Sequence, residues 1–329
     1  MATNRSWVIG LLAATVASAA DAQSSASPPR VDHHVHLLAP GLLADWGRLG
    51  VRFSRPDSAY TSVTAALREG GAEAAWLVSM AHLYGTGELR EALGLDLAAE
   101  RARVERTNDH LAAEVARDTA RFTGFCSADP TRPYAAAEFA RCGALPGMRG
   151  IKLHLPSAGI RLEDRPALAP IAAIVARAAR DGRPVLLHAV RLGEVTDSGA
   201  AQLVRDVLRP ARGARVVLAH GGGGGGWSTD SRRVLRAVLA ARAEGWDGAD
   251  VRLELSGTAL AEESDGVAAS TEAHRATLAR ELRAFGLERV LFGTDYPAFR
   301  ADEHGRALRD LIPLTDDEWA QVLGNRAPR

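Results

Sequence analysis

Arg30-Val31-Asp32-His33-His34-Val35-His36 is the stretch that decides between two α/β folds. An open doubly wound sheet would carry a glycine-rich turn after its first strand. Here the first strand ends in histidines. Outward from it the chain alternates: short apolar or β-branched runs are followed by Ala/Leu/Arg-rich amphipathic stretches. Strands are predicted at 30–36, 74–80, 121–127, 149–154, 184–189, 214–220, 250–256 and 289–295. Helices are predicted near 58–70, 98–120, 133–143, 166–181, 197–209, 230–244, 268–285 and 302–311, with a last one after Asp316-Asp317. Eight βα units in one chain of this length predict an α/β fold, a single-domain (β/α)8 TIM barrel over 30–327.

The chain has 329 residues, 40 basic against 40 acidic, and 47% hydrophobic residues, an ordinary globular balance. No excess of positive charge exists to neutralise phosphates, which argues against nucleic acid as a partner. Residues 1–22 read as a secretory signal peptide: Arg5, an apolar run Trp7 to Ala20, and a cleavage site at Ala20-Asp21-Ala22. Residues 23–29 read as a disordered leader. The expectation is an exported protein, periplasmic or secreted, with no membrane contact after cleavage. Cys126 and Cys142 are expected at opposite ends of the structure, as buried free thiols, with a disulfide as the alternative an oxidising compartment permits.

In a barrel the active site lies at the C-terminal ends of the strands. Strand one closes on His34 and His36, strand four on Lys152 and His154, strand five on His188, strand six on His220 and strand eight on Asp295. Side chains alternate along a strand, so His34 and His36 should share one face and His33 and Val35 the other. Imidazoles plus a carboxylate at one mouth suit Zn²⁺ or a neighbouring divalent metal. Lys152 is the only lysine of the chain, where every other basic residue is Arg.

Asp32-His33-His34-Val35-His36 resembles the D-x-H-x-H motif of the amidohydrolase superfamily. Gly150-Ile151-Lys152-Leu153-His154, Val185-Leu186-Leu187-His188, Val217-Leu218-Ala219-His220 and Leu291-Phe292-Gly293-Thr294-Asp295-Tyr296-Pro297 resemble its later strand endings. Val322-Leu323-Gly324-Asn325-Arg326-Ala327 resembles its C-terminal segment. The similarity is closest to the branch that holds aminocarboxymuconate-semialdehyde decarboxylase, γ-resorcylate decarboxylase and lactone hydrolases.

The resemblance implies metal ligands His34, His36, His188 and Asp295, with Asp295 and His220 catalytic. We read one zinc ion per chain, with manganese or iron as alternatives. Binuclear members carry a carboxylated lysine at strand four, so Lys152 and His220 could hold a second ion. The implied activity is hydrolysis of a lactone, ester or amide by metal-activated water. One alternative is non-oxidative decarboxylation of an aromatic or unsaturated acid. Another is a non-catalytic exported metal-binding barrel, which would have lost the proton-handling positions His220 and Asp295. The partner is a small-molecule substrate, and the resembling family suggests a homodimer.

His82, His154, Trp227 and Arg191 are candidate substrate contacts on the βα loops. The six glycines 221–226 read as a flexible wall of the mouth or as a tolerant loop. Glu254, inside strand seven, could hydrogen-bond a ligand histidine. His110, His274 and His304 are expected at the surface.

Overall fold

The computed structural model describes residues 29–51, 60–64, 72–264 and 267–327. The signal peptide, nearly all of the leader and most of the helix expected over 58–70 lie outside them. Eight parallel strands run in the order of the chain: β1 Val31–Leu37, β2 Ala74–Ser79, β3 Phe122–Ser127, β4 Met148–His154, β5 Val185–His188, β6 Arg215–Leu218, β7 Asp250–Glu254 and β8 Val290–Leu291. β8 returns to β1 through two backbone bonds, His33 N–H to Phe292 O at 3.0 Å and His36 N–H to Tyr296 O at 2.8 Å. The result is a (β/α)8 barrel, as the alternation predicts.

Between the strands lie α1 Pro40–Arg48, α2 Gly87–Ala92, α3 Leu97–Val115, α4 Ala135–Cys142, α5 Arg165–Arg180, α6 Asp197–Gln202, α7 Thr229–Ala243, α8 Glu272–Phe285, α9 Ala301–Leu311 and α10 Asp316–Gly324. Their starts are chemically marked. Asp96, Asp164, Thr196, Ser228, Thr271 and Thr315 each accept a backbone N–H of the helix that follows, satisfying donors that have no intrahelical partner. α1 and α2 have no counterpart among the helices predicted from the sequence. No described helix is long and apolar enough to cross a membrane.

Two apolar layers result. Trp76, Val78, Phe125, Leu186, Val217 and Leu291 fill the barrel interior, while the outward faces of the strands pack on the helices. Gly150 shows how tightly the interior is filled: a Cβ there would lie 2.2 Å from the Phe125 ring.

Three expectations change. Along β1 the alternation is broken: Asp32 pairs with Ala75 and Val35 with Leu77, so β1 holds one residue more than β2 over that span. This bulge lets His33 pack its ring against the interior Trp76, with centroids 5.0 Å apart. Cys126 and Cys142 are disulfide-bonded, with Cα atoms 6.1 Å apart. Cys126 points outward to the helix layer, and α4 has 8 residues, about 12 Å of helix. The chain therefore does not descend to the far end of the barrel before Cys142. His304 is not at the surface: it is buried, with its ring stacked on Phe299 at 4.9 Å.

Candidate metal centre

β1 delivers His34 and His36 side by side despite the bulge, with Nε2 atoms 3.1 Å apart. Asp295, just past β8, sets Oδ1 at 3.3 Å from His34 Nε2 and 3.1 Å from His36 Nε2. Neighbouring groups fix the tautomers. His34 Nδ1 lies 2.9 Å from a carboxylate oxygen of Glu254, and His36 Nδ1 lies 3.3 Å from Val78 O. Both partners only accept, so each Nδ1 carries the proton and each Nε2 a lone pair. Two lone pairs and a carboxylate then face one point, an arrangement that a cation relieves. Bonds of about 2.05 Å in a tetrahedral site place ligand atoms about 3.3 Å apart, close to the observed separations. The residues present fit a divalent metal.

Glu254 organises this centre from β7. Its carboxylate accepts from His34 Nδ1 at 2.9 Å, His220 N at 2.8 Å, Ser256 N at 2.7 Å and Ser256 Oγ at 2.8 Å. Burial opposes its ionisation, but His34, His220 and the Ser256 N–H more than offset that and hold it below the usual carboxylate range. Asp295 behaves alike: burial raises its pKa, but the surrounding His34, His36 and His220 outweigh that and hold it well below the usual carboxylate range. Gly293 is the glycine this packing requires, because a Cβ there would lie 2.3 Å from Glu254 Oε2 and 3.2 Å from His34 Cβ. Asp32 ties the two ends of the sheet together at the site, accepting from Thr294 Oγ1 at 2.7 Å, Thr294 N at 3.1 Å and His34 N at 3.1 Å.

The described residues with positive φ other than glycine are His220 at 54° and Asp295 at 58°. Left-handed backbone costs a non-glycine residue about 1–3 kcal/mol. Here it turns both side chains back over the barrel mouth. His220 Nδ1 lies 3.1 Å from Ser256 O and 2.9 Å from Ser256 Oγ, which leaves Nε2 to the cavity.

Lys152 is fully buried, with Nζ 3.1 Å from His34 Nε2. Burial pushes its ammonium down to about 8, against the pull of Asp295 and Glu254. His188 sits between His154 and His220, with ring centroids 4.2 Å and 4.7 Å away. Its Nε2 faces Val190 O at 3.0 Å, and His188 is not among the converging ligand atoms found in the described residues. Burial holds His82, His154 and His188 well below 6.5, so they are neutral.

Above these groups opens a cavity of about 660 Å³ lined by His36, His82, Lys152, His154, His188, His220, Arg191 and Asp295. Apolar residues join the lining from the segments after β1 and β2: Trp46, Leu49 and Val51 from α1 and the turn after it, and Met80, Leu83 and Leu89, with Thr86 and Glu88 beside them. The apolar wall escaped sequence reading because its residues come from segments with no motif.

Trp227 is a correction. It is buried, lies outside the cavity lining, and packs against Gly221, held by Trp227 N–H to Thr258 O at 2.8 Å. The glycine run is neither a flexible nor a tolerant loop but a packed one. A Cβ at Gly224 would lie 2.4 Å from Leu192 N, one at Gly225 or Gly226 would lie 2.8 Å from Val267, and one at Gly223 would lie 2.2 Å from Ser231 Oγ. Gly221 and Gly222 have positive φ. Arg191 stands at the rim, exposed, 3.9 Å from Glu194.

The sequence profile of the Amidohydrolase family matches residues 31–327, the whole barrel. The chain belongs to the amidohydrolase family. No curated protein sequence matches it. Among solved structures this amidohydrolase is similar to 5-carboxyvanillate decarboxylase LigW from Sphingomonas paucimobilis, at TM-score 0.57 and 16% identity, covering 91% of this chain and 97% of that one. It is also similar to 5-carboxyvanillate decarboxylase from Novosphingobium aromaticivorans complexed with manganese and a nitrobenzoic acid, at TM-score 0.55 and 16% identity, over 91% of this chain and 94% of that one. A third is 2,6-dihydroxybenzoate decarboxylase from Rhizobium, at TM-score 0.55 and 16% identity, over 91% and 96%. At such identity the likeness concerns the fold.

Proposed function

We propose that this amidohydrolase is a metal-dependent, non-oxidative decarboxylase of an aromatic acid. The observation that carries the reading is the mixed lining of the cavity. Imidazole and ammonium groups stand beside the His34/His36/Asp295 centre, and Trp46, Leu49, Met80 and Leu83, from the segments after β1 and β2, add apolar surface to the same cavity. A planar acid satisfies both kinds of lining at once. The decarboxylases that share the fold, one of them complexed with manganese, support the same choice.

His34, His36 and Asp295 would hold the ion, with His188 as a further ligand after its ring turns from Val190 O. Two imidazoles and a carboxylate suit zinc or manganese. When bound, the ion would orient the acid and neutralise its charge. His220, anchored through Nδ1 to Ser256, presents Nε2 to take up a proton from solvent before the acid closes the cavity, and then to deliver that proton to the ring carbon. The carbon–carboxylate bond then breaks, its electron pair stays with the ring, and carbon dioxide leaves. The apolar wall excludes water from that step.

One observation favours a second reading. Lys152, His188 and His220 lie beside the first centre, the set a second ion would need if Lys152 were carboxylated. That would favour hydrolysis of a lactone, ester or amide. The two readings part in one experiment: metal-loaded protein is given carboxyl-labelled hydroxybenzoic acids, and lactones and esters in ¹⁸O-water. Labelled carbon dioxide supports decarboxylation. Oxygen label in a new carboxylate, without carbon dioxide, replaces it with hydrolysis. Neither product removes both. The predicted signal peptide and the buried Cys126–Cys142 bridge together support export to an oxidising compartment.

A further inference from the structure

The metal centre leaves two cavity histidines unused. His82, just past β2, and His154, at the end of β4, stack with ring centroids 5.1 Å apart and planes 19° from parallel. Each is anchored through Nδ1. The backbone N–H of Ser157 donates to His154 Nδ1 at 3.1 Å. A backbone amide can only donate, so that nitrogen holds a lone pair and the proton of the neutral ring sits on Nε2. His82 Nδ1 lies 2.7 Å from Ser127 Oγ, which also receives the His82 backbone N–H at 3.4 Å. The Ser127 hydroxyl keeps its own proton for donation, and with that proton given to His82 Nδ1 the ring proton sits on Nε2, the tautomer in which His82 matches His154. Among the described residues no protein acceptor meets either Nε2. Both rings line the cavity.

We propose that His82 and His154 form a paired hydrogen-bond donor subsite for a second anionic oxygen group of the substrate, a carboxylate or phenolate. This group is distinct from the one held over the His34/His36/Asp295 centre. The proposal rests on the reading that the cavity takes an aromatic acid. It adds that the acid carries a second acceptor group, spaced across the ring from the first. The apolar wall of Trp46, Leu49 and Met80 receives the ring between them. His82 and His154 are positioning residues: they choose and orient the substrate and exchange no proton with it.

Binding of inert probes tests this without turnover. Calorimetric affinities of benzoate, with one acceptor group, and isophthalate, with two, are compared for wild type, His82→Phe, His154→Phe and His154→Gln. Wild type should bind isophthalate at least tenfold more tightly than benzoate. Either Phe variant should lose most of that advantage while its benzoate affinity holds. His154→Gln, which keeps an N–H near the Nε2 position, should restore much of it. An isophthalate advantage that is absent in wild type, or that survives both Phe variants, overturns the proposal. Histidine ¹⁵N spectra of the wild type supply a readout that needs no variant: an Nδ1–H tautomer at His154 overturns it as well. A collapsed advantage with no carbon dioxide released from any acid would keep the subsite and remove only the decarboxylase reading.

Discussion

Four donors converge on the Glu254 carboxylate, and through it the ring of His34 is aimed. Partners that orient a metal-binding histidine typically contribute 10–100-fold in metal affinity. Glu254→Gln replaces one oxygen by an NH₂ that faces donors it cannot accept from. Its metal affinity, read by competition with a chelator, should fall by about that factor. An unchanged affinity would mean that packing alone orients His34. His304 makes a second case. Burial and its apolar neighbours lower it from 6.5 to about 4, although Leu255 O and the carboxylates of Glu254 and Asp295 pull it up. Unfolded, it binds a proton near 6.5; folded, only near 4. Between those values the unfolded chain holds more protons, so stability falls as pH drops through the window, by up to about 3 kcal/mol. Urea midpoints at pH 7.5 and 4.5 should therefore differ less in His304→Phe than in wild type. An identical difference in both would assign the acid sensitivity to other groups.

The loop after β6 and the loop after β5 act as one packed element. Gly224→Ala sets a methyl group 2.4 Å from Leu192 N, which is backbone and cannot swing away. Overpacking of this kind costs about 1–3 kcal/mol, and it should shift the segment that bears Arg191. Gly41, exposed in α1 with nothing within 4 Å of a Cβ, is the contrast. Gly41→Ala should gain about 0.5–1 kcal/mol from helix propensity. Denaturation of the two variants checks both signs, and a neutral Gly224→Ala would mean that the loop yields freely. The β3–α4 unit is held by its disulfide, across a sequence separation of 16. A bridge closing a loop of that length contributes about 3 kcal/mol. Cys126→Ala/Cys142→Ala should lower the denaturation midpoint accordingly, and reductant should then add nothing.

For the whole molecule the decisive quantity is the number of ions per chain. Elemental analysis of protein purified without chelators should give about one, lost in His36→Ala. Chelation should lower the unfolding temperature, because a ligand present at 1,000 times its Kd stabilises the fold by about 4 kcal/mol. About two ions per chain, falling to one in Lys152→Arg, would move the protein to the hydrolytic reading. An unfolding temperature indifferent to chelator and to added metal would remove the metal from the centre.

The order of the barrel and the identity of its strand ends were legible in the chain itself. Short apolar or β-branched runs bounded by amphipathic stretches are local patterns, and polar residues closing apolar strands stand out against them. His34, His36, Lys152, His188, His220 and Asp295 could therefore be named from sequence, and Glu254 with them. What brought three ligand atoms within about 3 Å, and left His188 turned to Val190 O, was decided by contacts between residues far apart in the chain. Glu254 meets His34 across 220 positions, and Thr294 meets Asp32 across 262. The bulge in β1, the Cys126–Cys142 bridge, the burial of Trp227 and His304, and the need for glycine at 223–226 have the same cause. Each depends on which surface the barrel lays against that residue, and a local pattern carries no record of a neighbour it meets only after folding.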